Sequence, residues 1–218
     1  MKDAAAKSAA PASRMRRARP APKPTREEKA ELLRETIFRA AADIVGELGY
    51  AEASIARITE QAGIAQGTFY LYFESRQALF DELLPHVGQD LVRYIHERVQ
   101  GLKTYLAIEE EGFRAFFDFC RRNTGFVRVL NEAEMAAPAA HRAHFKIVLE
   151  SYARSLRRSI AAGEIRKFSA KEVEALAYAL MGARSYLYLG YIKYGDGNKK
   201  LPEDVVQTYL KLVRLALV

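Results

Sequence analysis

The sequence predicts an all-α protein, in which a small N-terminal unit of three helices with a helix-turn-helix precedes a larger C-terminal helical domain. From residue 26 onward, apolar residues recur at the spacing of a helix face, and no strand-like alternation of useful length occurs. Two short helical patterns joined by a glycine follow the first long one, which is the order of a helix-turn-helix. The 218 residues, half of them hydrophobic and 28% charged, suffice for a sizeable core.

The first 26 residues form a basic arm whose composition differs from that of the rest. They contain eight Lys or Arg residues and one Asp, so they carry the whole net charge of +7, and the other residues sum to zero. They also hold four of the seven prolines and no aromatic residue, so we expect residues 1–26 to be disordered. The arm is either a solubilising tail or start-site artefact, or a segment that reaches nucleic acid phosphates or a minor groove.

The first helix is predicted over "REEKAELLRETIFRAAADIVGELG", which begins at residue 26. Its apolar residues Leu33, Ile37, Ala40, Ile44 and Leu48 repeat at helical spacing. Glutamates in its first turn complement the helix dipole, and the final glycine is a good stop.

Two short helices follow, and the glycine between them makes the pair a helix-turn-helix. Ser54 is the expected N-cap of the first, which spans 54–62 and ends at Gly63. The second begins near residue 65, and Phe69 and Phe73 fall on the face that anchors it in the core. Its two tyrosines point outward, where a hydroxyl can bond a phosphate and a ring can lie against a sugar or a thymine methyl. In this motif the second helix enters the DNA major groove.

The segment "ITEQAGIAQGTFYLYFESRQALF" resembles the DNA-binding domain of the TetR family of bacterial transcriptional regulators. The shared pattern is an Ala-Gly-Ile turn, then Gly-Thr-Phe-Tyr-x-Tyr-Phe, then a helix that opens with a basic residue, and it covers about residues 30–84. The resemblance implies a DNA-binding domain at 27–75, a ligand-binding and dimerisation domain at 76–218, and double-stranded operator DNA as a partner. Carried over by position, the family's DNA contacts fall on Ser54, Arg57, Gln66, Gly67, Thr68, Tyr70, Leu71, Tyr72 and Arg76.

Two departures from the family pattern affect phosphate binding. Many relatives have Ser or Lys where this chain has Ala65 and Gln66, which removes one phosphate contact. Residues 27–76 hold five basic and nine acidic residues, a net charge of −4, which is unusual for a surface that binds phosphates. We therefore expect the basic arm to compensate.

Six further helices are predicted, at about 75–100, 109–122, 124–135, 138–162, 169–194 and 203–217. Pro85 lies inside the first of these and is expected to kink or split it. Since this helix joins the two domains, it is the expected lever between them. The last helix carries a broad apolar stripe that requires a partner surface, so together with 169–194 it is expected to form a homodimer interface.

Aromatic residues are concentrated in the C-terminal domain, and they either pack the core or line a pocket for an apolar or aromatic ligand. The candidate ligand residues are Phe116, Phe117, Cys120, Arg121, Phe126, Tyr152, Tyr178, Met181 and Tyr186. Whether the tyrosines of 178–194 face a pocket or the dimer seam stays open. Four arginines, Arg121, Arg122, Arg128 and Arg184, are either solvated or available to an acidic ligand group, as in an acyl-CoA or an aromatic acid.

Other chemistry is not supported by the sequence. His141 and His144 are three residues apart, but a metal site needs three or four ligands, so we expect surface histidines. Cys120, the single cysteine, is expected to be a small buried hydrophobe. No catalytic grouping, phosphate loop or cofactor motif appears. The sequence also contains no run of 18 apolar residues, which is the length that a membrane-spanning helix needs.

The function that the resemblance implies is a cytoplasmic, ligand-responsive repressor. The apo dimer would block transcription at a near-palindromic operator, and a small-molecule effector would release it. The alternative is a DNA-binding regulator or nucleoid-type factor of the same fold without a small-molecule ligand. An open cavity in the C-terminal domain would favour the first interpretation, and a closed, ring-filled core the second.

Overall fold

The computed structural model describes residues 25–195 and 200–218, and its regular elements within these ranges are all helical. The α-helices are α1 Arg26–Leu48, α2 Ile55–Ala62, α3 Gln66–Phe69, α4 Arg76–Val99, α5 Tyr105–Arg122, α6 Phe126–Ala136, α7 Pro138–Ala161, α8 Val173–Leu187 and α9 Glu203–Leu217. A π-helical segment, Tyr188–Lys193, extends α8. The predicted all-α fold class is confirmed.

Helix α1 begins where the sequence predicts, and a capping box fixes its start. The Thr25 hydroxyl accepts a hydrogen bond from the Glu28 amide at 3.1 Å, and the Glu28 carboxylate accepts one from the Thr25 amide at 2.7 Å. Residues 25 and 26 of the predicted basic arm therefore belong to α1 and its cap, and the rest of the arm lies outside the described residues.

Capping residues set the ends of the helices in the helix-turn-helix. The Ser54 side chain accepts a hydrogen bond from the Arg57 amide at 3.3 Å and so caps α2, as predicted. Gly63 ends α2 in the left-handed conformation, with φ of 67°, which a side chain would disfavour. Helix α3 is only four residues long, and its N-cap residue, Ala65, offers no side-chain acceptor.

Helix α4 is continuous from Arg76 to Val99, so of the two predicted effects of Pro85, a kink or a split, the split does not occur. Proline removes one amide donor, but α4 packs along α5 and α7, and burial of its apolar face stabilises the helix on both sides of that position. The helix contributes to both domains, with Leu79 and Leu83 in the core below the helix-turn-helix and Leu91 further along.

The apolar face of α9 packs mainly against the chain's own core. Five of its six buried residues belong to a hydrophobic cluster shared with α5, α7 and α8: Val206, Tyr209, Leu210, Val213 and Leu217. The expectation that this stripe as a whole requires another subunit is therefore wrong. Only Leu212 and Leu215 remain as large exposed apolar side chains inside α9.

Candidate DNA-binding surface and central cavity

The segment 66–72 of the helix-turn-helix separates buried from exposed rings. Phe69 and Phe73 are buried, and Phe73 packs edge-on against Phe38 of α1 at 5.4 Å between ring centroids. Tyr70 and Leu71 are 55% and 81% exposed. The two phenylalanines are thus core residues and Tyr70 points outward as expected, whereas Tyr72 is partly buried against the core, so the expectation that both tyrosines point outward is wrong for Tyr72.

None of the nine side chains predicted to contact DNA is buried. Gln66 and Gly67 are exposed at the start of α3, and a β-carbon built at Gly67 would meet no protein atom within 4 Å. Thr68 and Tyr72 are partly buried. Inside the chain nothing therefore requires a glycine at position 67.

The two predicted basic contacts are held by the loop that precedes α2. Arg57 donates to the backbone oxygen of Glu52 at 3.0 Å and lies 3.1 Å from the Glu52 carboxylate. Arg76 donates to the backbone oxygen of Ala51 at 3.3 Å. Both guanidinium groups are therefore positioned before any phosphate is bound.

The C-terminal domain encloses a central cavity of about 530 Å³, within the range of small-molecule sites. Its lining residues come from α4, α5, α6, α7 and α8, and most of them are apolar. The apolar members are Leu91, Val92, Ile95, Val99, Ile108, Gly112, Phe116, Phe126, Leu130, Phe145, Val148, Met181 and Gly182.

Five of the nine candidate ligand residues line this cavity: Phe116, Phe126, Tyr152, Tyr178 and Met181. The other four lie elsewhere. Phe117 is buried in the hydrophobic cluster that includes α9, and Cys120 is buried in the cluster that includes α1 and α4. Burial raises the pKa of the Cys120 thiol to about 12. Arg121 forms an ion pair with Asp118 at 2.5 Å, and Tyr186 is 77% exposed.

One wall of the cavity carries a polar group of side chains, here called the Glu109 cluster: Glu109 of α5, Tyr152 of α7, Arg184 of α8 and Tyr209 of α9. Glu109 accepts from Arg184 at 2.5 Å, from Tyr209 at 2.6 Å and from Tyr152 at 2.7 Å. Arg184 also donates to the Tyr152 hydroxyl at 3.0 Å. Glu109 is only 2% exposed, so a single buried carboxylate joins four helices.

The members of the Glu109 cluster satisfy one another's hydrogen-bonding groups. Burial is the largest single influence on Arg184 and lowers its pKa, but Glu109, Tyr152 and Tyr209 together outweigh it and hold the pKa of Arg184 well above its ordinary value. Burial, and then Glu109, raise the pKa of Tyr105, whose buried hydroxyl has no hydrogen-bond partner within the described residues. Glu109 is not among the residues predicted from the sequence, although an acid between Tyr105 and Phe113 on an apolar helix face is a usable signal.

His144 is buried where α7 crosses α4, so the expectation of a surface histidine is wrong. Its ring nitrogen Nδ1 donates to the backbone oxygen of Leu84 at 3.3 Å, and the ring occupies the space that a side chain at Gly88 would need. Burial lowers the pKa of His144 to about 4. The imidazole is therefore neutral at pH 7 and forms part of the cavity lining.

Helix α6 connects the cavity to the DNA-binding domain. Phe126 and Leu130 line the cavity, whereas Arg128 donates to the backbone oxygen of Glu47 at the end of α1, at 2.6 Å. The Glu132 carboxylate accepts from Arg128 at 2.6 Å and from the Tyr50 amide at 2.9 Å. We call this contact the α1–α6 junction.

The backbones themselves touch at the α1–α6 junction. A β-carbon on Gly125 would lie 2.7 Å from the Cα of Gly46 and 3.1 Å from the backbone oxygen of Ala42. Distances below 3.0 Å require a shift of the main chain, because no flexible side chain is involved. The absence of side chains at both positions thus sets the distance between the two helices.

Residues 25–195 and 200–218 contain neither a membrane-spanning helix nor a metal-binding cluster. None of their helices has the length and apolar character that crossing a bilayer requires. They also hold no cluster of three or more His, Cys, Asp or Glu side chains suited to a metal ion.

These features define a helix-turn-helix protein whose second domain encloses a cavity. The family model described as "Bacterial regulatory proteins, tetR family" matches residues 37–83. Over these residues the chain is similar to the TetR family of regulators, and it shares their helix-turn-helix.

Curated relatives match about a third of the chain. YvdT of Bacillus subtilis, named as an HTH-type transcriptional regulator, is 40% identical over 67 residues, which are 31% of this chain and 32% of YvdT. The nucleoid occlusion factor SlmA of Mannheimia succiniciproducens is 27% identical over 84 residues, 38% of this chain and 39% of SlmA. The chain thus aligns with less than two fifths of the length of either relative.

A solved structure matches the whole fold. The transcriptional regulator FadR of Bacillus subtilis, in complex with stearoyl-CoA, superposes with a TM-score of 0.69 at 19% identity, over 82% of this chain and 96% of FadR. At that identity the likeness shows that the two proteins share a fold.

Proposed function

We propose that the protein is a ligand-responsive transcriptional repressor whose operator complex is released when a small apolar or amphipathic molecule binds the central cavity. The observation that carries the proposal is the position of the cavity. Its walls include α4 and α6, the two helices of the C-terminal domain that also pack against α1. An occupant therefore touches the elements that orient the DNA-binding domain.

The DNA-binding step uses the exposed segment 66–72 in the major groove. Tyr70 and Leu71 present a hydroxyl, a ring and a methyl group to bases or sugars, and Arg57 and Arg76 stand beside them for phosphates. Such a regulator acts in the bacterial cytoplasm, where the chromosome is. The basic arm adds non-specific attraction to DNA.

Operator binding by a homodimer is part of the proposal, because two recognition segments must meet successive major grooves about 34 Å apart. The exposed apolar side chains of the last two helices support a seam there: Tyr186 of α8, and Leu212 and Leu215 of α9. These side chains form a smaller patch than the sequence predicted, since most of the α9 stripe is buried in the chain.

Signal transfer would run through α6 and α4. An occupant that displaces Phe126 or Leu130 moves α6, and Arg128 and Glu132 on α6 hold the end of α1 and the Tyr50 amide. The glycine contact at the junction leaves no soft side chain to absorb this movement. By linkage, operator DNA must weaken effector binding by the same factor.

The apolar cavity wall and the stearoyl-CoA in the FadR neighbour support an acyl-type effector. An aromatic acid is the alternative that the ring-rich wall admits. In either case the effector binds the folded state, so it should raise the unfolding midpoint. The free energy of unfolding should increase by about 2.7 kcal/mol when the effector concentration is a hundred times its dissociation constant.

The test begins with selection of an operator from random DNA duplexes by the purified protein, followed by titration of the complex with acyl-CoAs, fatty acids and aromatic acids. We expect one class both to raise the unfolding midpoint and to release the operator. If no class of compound raised the midpoint or released the operator, the proposal of a small-molecule effector would be contradicted. If the protein selected no duplex, the proposal of DNA binding would be contradicted.

Gly182 offers a matched pair of variants that tests the cavity. It lines the cavity, and a β-carbon there would meet no atom within 4 Å, so a larger side chain can enter the space without a clash. Gly182→Leu should weaken effector binding at least tenfold, and Gly182→Ala should change it little. Equal affinities in the two variants would place the effector outside the cavity.

A nucleoid-type factor without a ligand is the second candidate, and the match to SlmA favours it. That match covers only 38% of this chain, so it does not account for the cavity, whose lining runs from Leu91 to Ser185. Sequence-selective binding at a few promoter sites would support the repressor, and binding sites spread along the chromosome with no response to any effector would support the nucleoid factor.

A further inference from the structure

The charged side chains that line the central cavity leave an excess of two positive charges. Glu109 and Arg184 neutralise each other inside the Glu109 cluster. Arg154 and Arg158 also line the cavity, but they are exposed, and no ion pair is formed by either within the described residues. They lie four residues apart on α7, so their side chains project from one face of the helix, one turn apart.

This distribution distinguishes the two ends of a bound molecule. Apolar residues fill most of the cavity wall, and the exposed arginines provide charge only where solvent also reaches. An anionic group placed in the interior would meet the Glu109 carboxylate, whose partners are already engaged. An anionic group beside Arg154 and Arg158 would meet two guanidinium forks, which bind carboxylates and phosphates with paired hydrogen bonds.

We propose that Arg154 and Arg158 bind the anionic head of a single-chain amphiphile whose apolar chain occupies the central cavity. This rests on the proposed function and adds the orientation of the effector, with the chain inside and the head outside. A cationic ligand is disfavoured at such a rim, and so is an aromatic acid buried as a whole. The shared head chemistry is a carboxylate or a phosphate.

The experiment compares three ligands with the same twelve-carbon chain: dodecanoyl-CoA, dodecanoate and uncharged dodecanol. Dissociation constants are measured by direct titration at low and high salt for the wild-type protein and for Arg154→Gln/Arg158→Gln. Arg157→Gln is the matched control, because Arg157 is also exposed on α7 but does not line the cavity.

The wild-type protein should bind a charged ligand at least about tenfold more tightly than dodecanol, and salt should reduce that preference. The double variant should lose the preference while it retains dodecanol affinity, and Arg157→Gln should behave as the wild type. Whether dodecanoyl-CoA or dodecanoate shows the larger loss identifies the head as phosphate-bearing or as a simple carboxylate.

Equal wild-type affinity for all three ligands would overturn the inference, as would an equal loss for dodecanol in the double variant or an equal loss in Arg157→Gln. Binding of none of the three ligands would overturn it too. These failures are distinguishable from failure of the proposed function, because release of the operator by dodecanol alone would keep an effector cavity and remove only the role of the arginines.

Discussion

The helix-turn-helix and the central cavity are assembled in different ways along the chain. The helix-turn-helix is contiguous: its caps, turn and exposed side chains all lie between residues 54 and 76. The cavity wall is drawn from five helices, and its lining runs from Leu91 to Ser185. Local patterns therefore specify the first site, and the second exists only after long-range packing.

The difference also concerns which forces hold each site. The helix-turn-helix rests on buried phenylalanines, while the cavity has a wall that depends on a buried ion pair. Damage to the cavity region should thus show itself as lost stability, and damage to the exposed part of the helix-turn-helix as lost DNA affinity. The following substitutions test this contrast.

Arg184→Met should have the largest effect, because it leaves the Glu109 carboxylate buried and unpaired. We expect a loss of about 3–5 kcal/mol in the free energy of unfolding. Glu109→Leu/Arg184→Met should restore much of that loss, since no charge is then stranded. Urea unfolding measures both. The control is Arg114→Ala, which removes partly exposed ion pairs with Glu110 and Glu203 and should cost under about 1 kcal/mol.

If Arg184→Met and the double variant were equally destabilised, the lost contacts of the long Arg184 side chain, and not the stranded charge, would account for the effect.

His144 should make the C-terminal domain sensitive to mild acid. Burial lowers its pKa to about 4, whereas in the unfolded chain it titrates near 6.5, so between these values the unfolded state binds more protons. Stability should therefore fall as the pH drops from about 6.5 to 4, by up to about 3 kcal/mol. Unfolding measured across this range should show a smaller slope for His144→Asn.

His141→Asn is the control for that slope, because His141 is a neighbouring histidine that is only partly buried and its charge is a minor contributor to the pKa of His144. A slope that persists unchanged in His144→Asn would assign the pH dependence to carboxylates such as Asp118. Hydrogen bonds from Tyr94 and from neighbouring arginines lower the pKa of Asp118 to about 2.

Tyr70→Ala and Leu71→Ala should weaken operator binding by about 1–3 kcal/mol each, with stability unchanged to within about 0.5 kcal/mol. Both side chains are exposed, so little packing is lost. Fluorescence anisotropy with the selected operator measures the affinity. Met135→Ala, which removes a highly exposed side chain of α6, should change neither quantity. Unchanged affinity in both tyrosine and leucine variants would contradict this placement of the DNA-binding surface.

Glu132→Gln should have the smallest effect, and it acts on the link between the two sites. It removes the charge that holds Arg128 at the α1–α6 junction but keeps the shape of the side chain. We expect the effector-induced change in operator affinity to shrink by about 0.5–2 kcal/mol, with little change in either affinity alone. Arg121→Ala, whose ion pair lies within α5, is the control. A full response in Glu132→Gln would exclude the junction as the path.

The same contrast explains how much the sequence could predict. Helix α1, the cap at Ser54 and the burial of Phe69 and Phe73 follow from residues within a turn or two of one another. The assignment of DNA contacts to nine residues of the helix-turn-helix stays a prediction, although all nine residues are accessible at least in part.

The cavity residues were harder to predict because their neighbours are distant in sequence. Glu109 meets Arg184 across 75 positions, and His144 meets Leu84 across 60. Periodicity could place each residue on a helix face, but it could not tell which faces meet. For this reason the sequence could not distinguish Phe116 from Phe117. The two residues are adjacent and chemically alike, but only Phe116 lines the cavity.

The contact between Gly46 and Gly125 has a consequence for protein engineering. Sensor proteins are often rebuilt by fusing the DNA-reading half of one to the receptor half of another, with the joint placed in the connecting helix. Here such a chimera would bring a foreign α1 against Gly125, and any side chain at the position of Gly46 would collide with main-chain atoms. A functional hybrid must therefore inherit this pair together, which makes the two halves of the molecule a single unit of exchange.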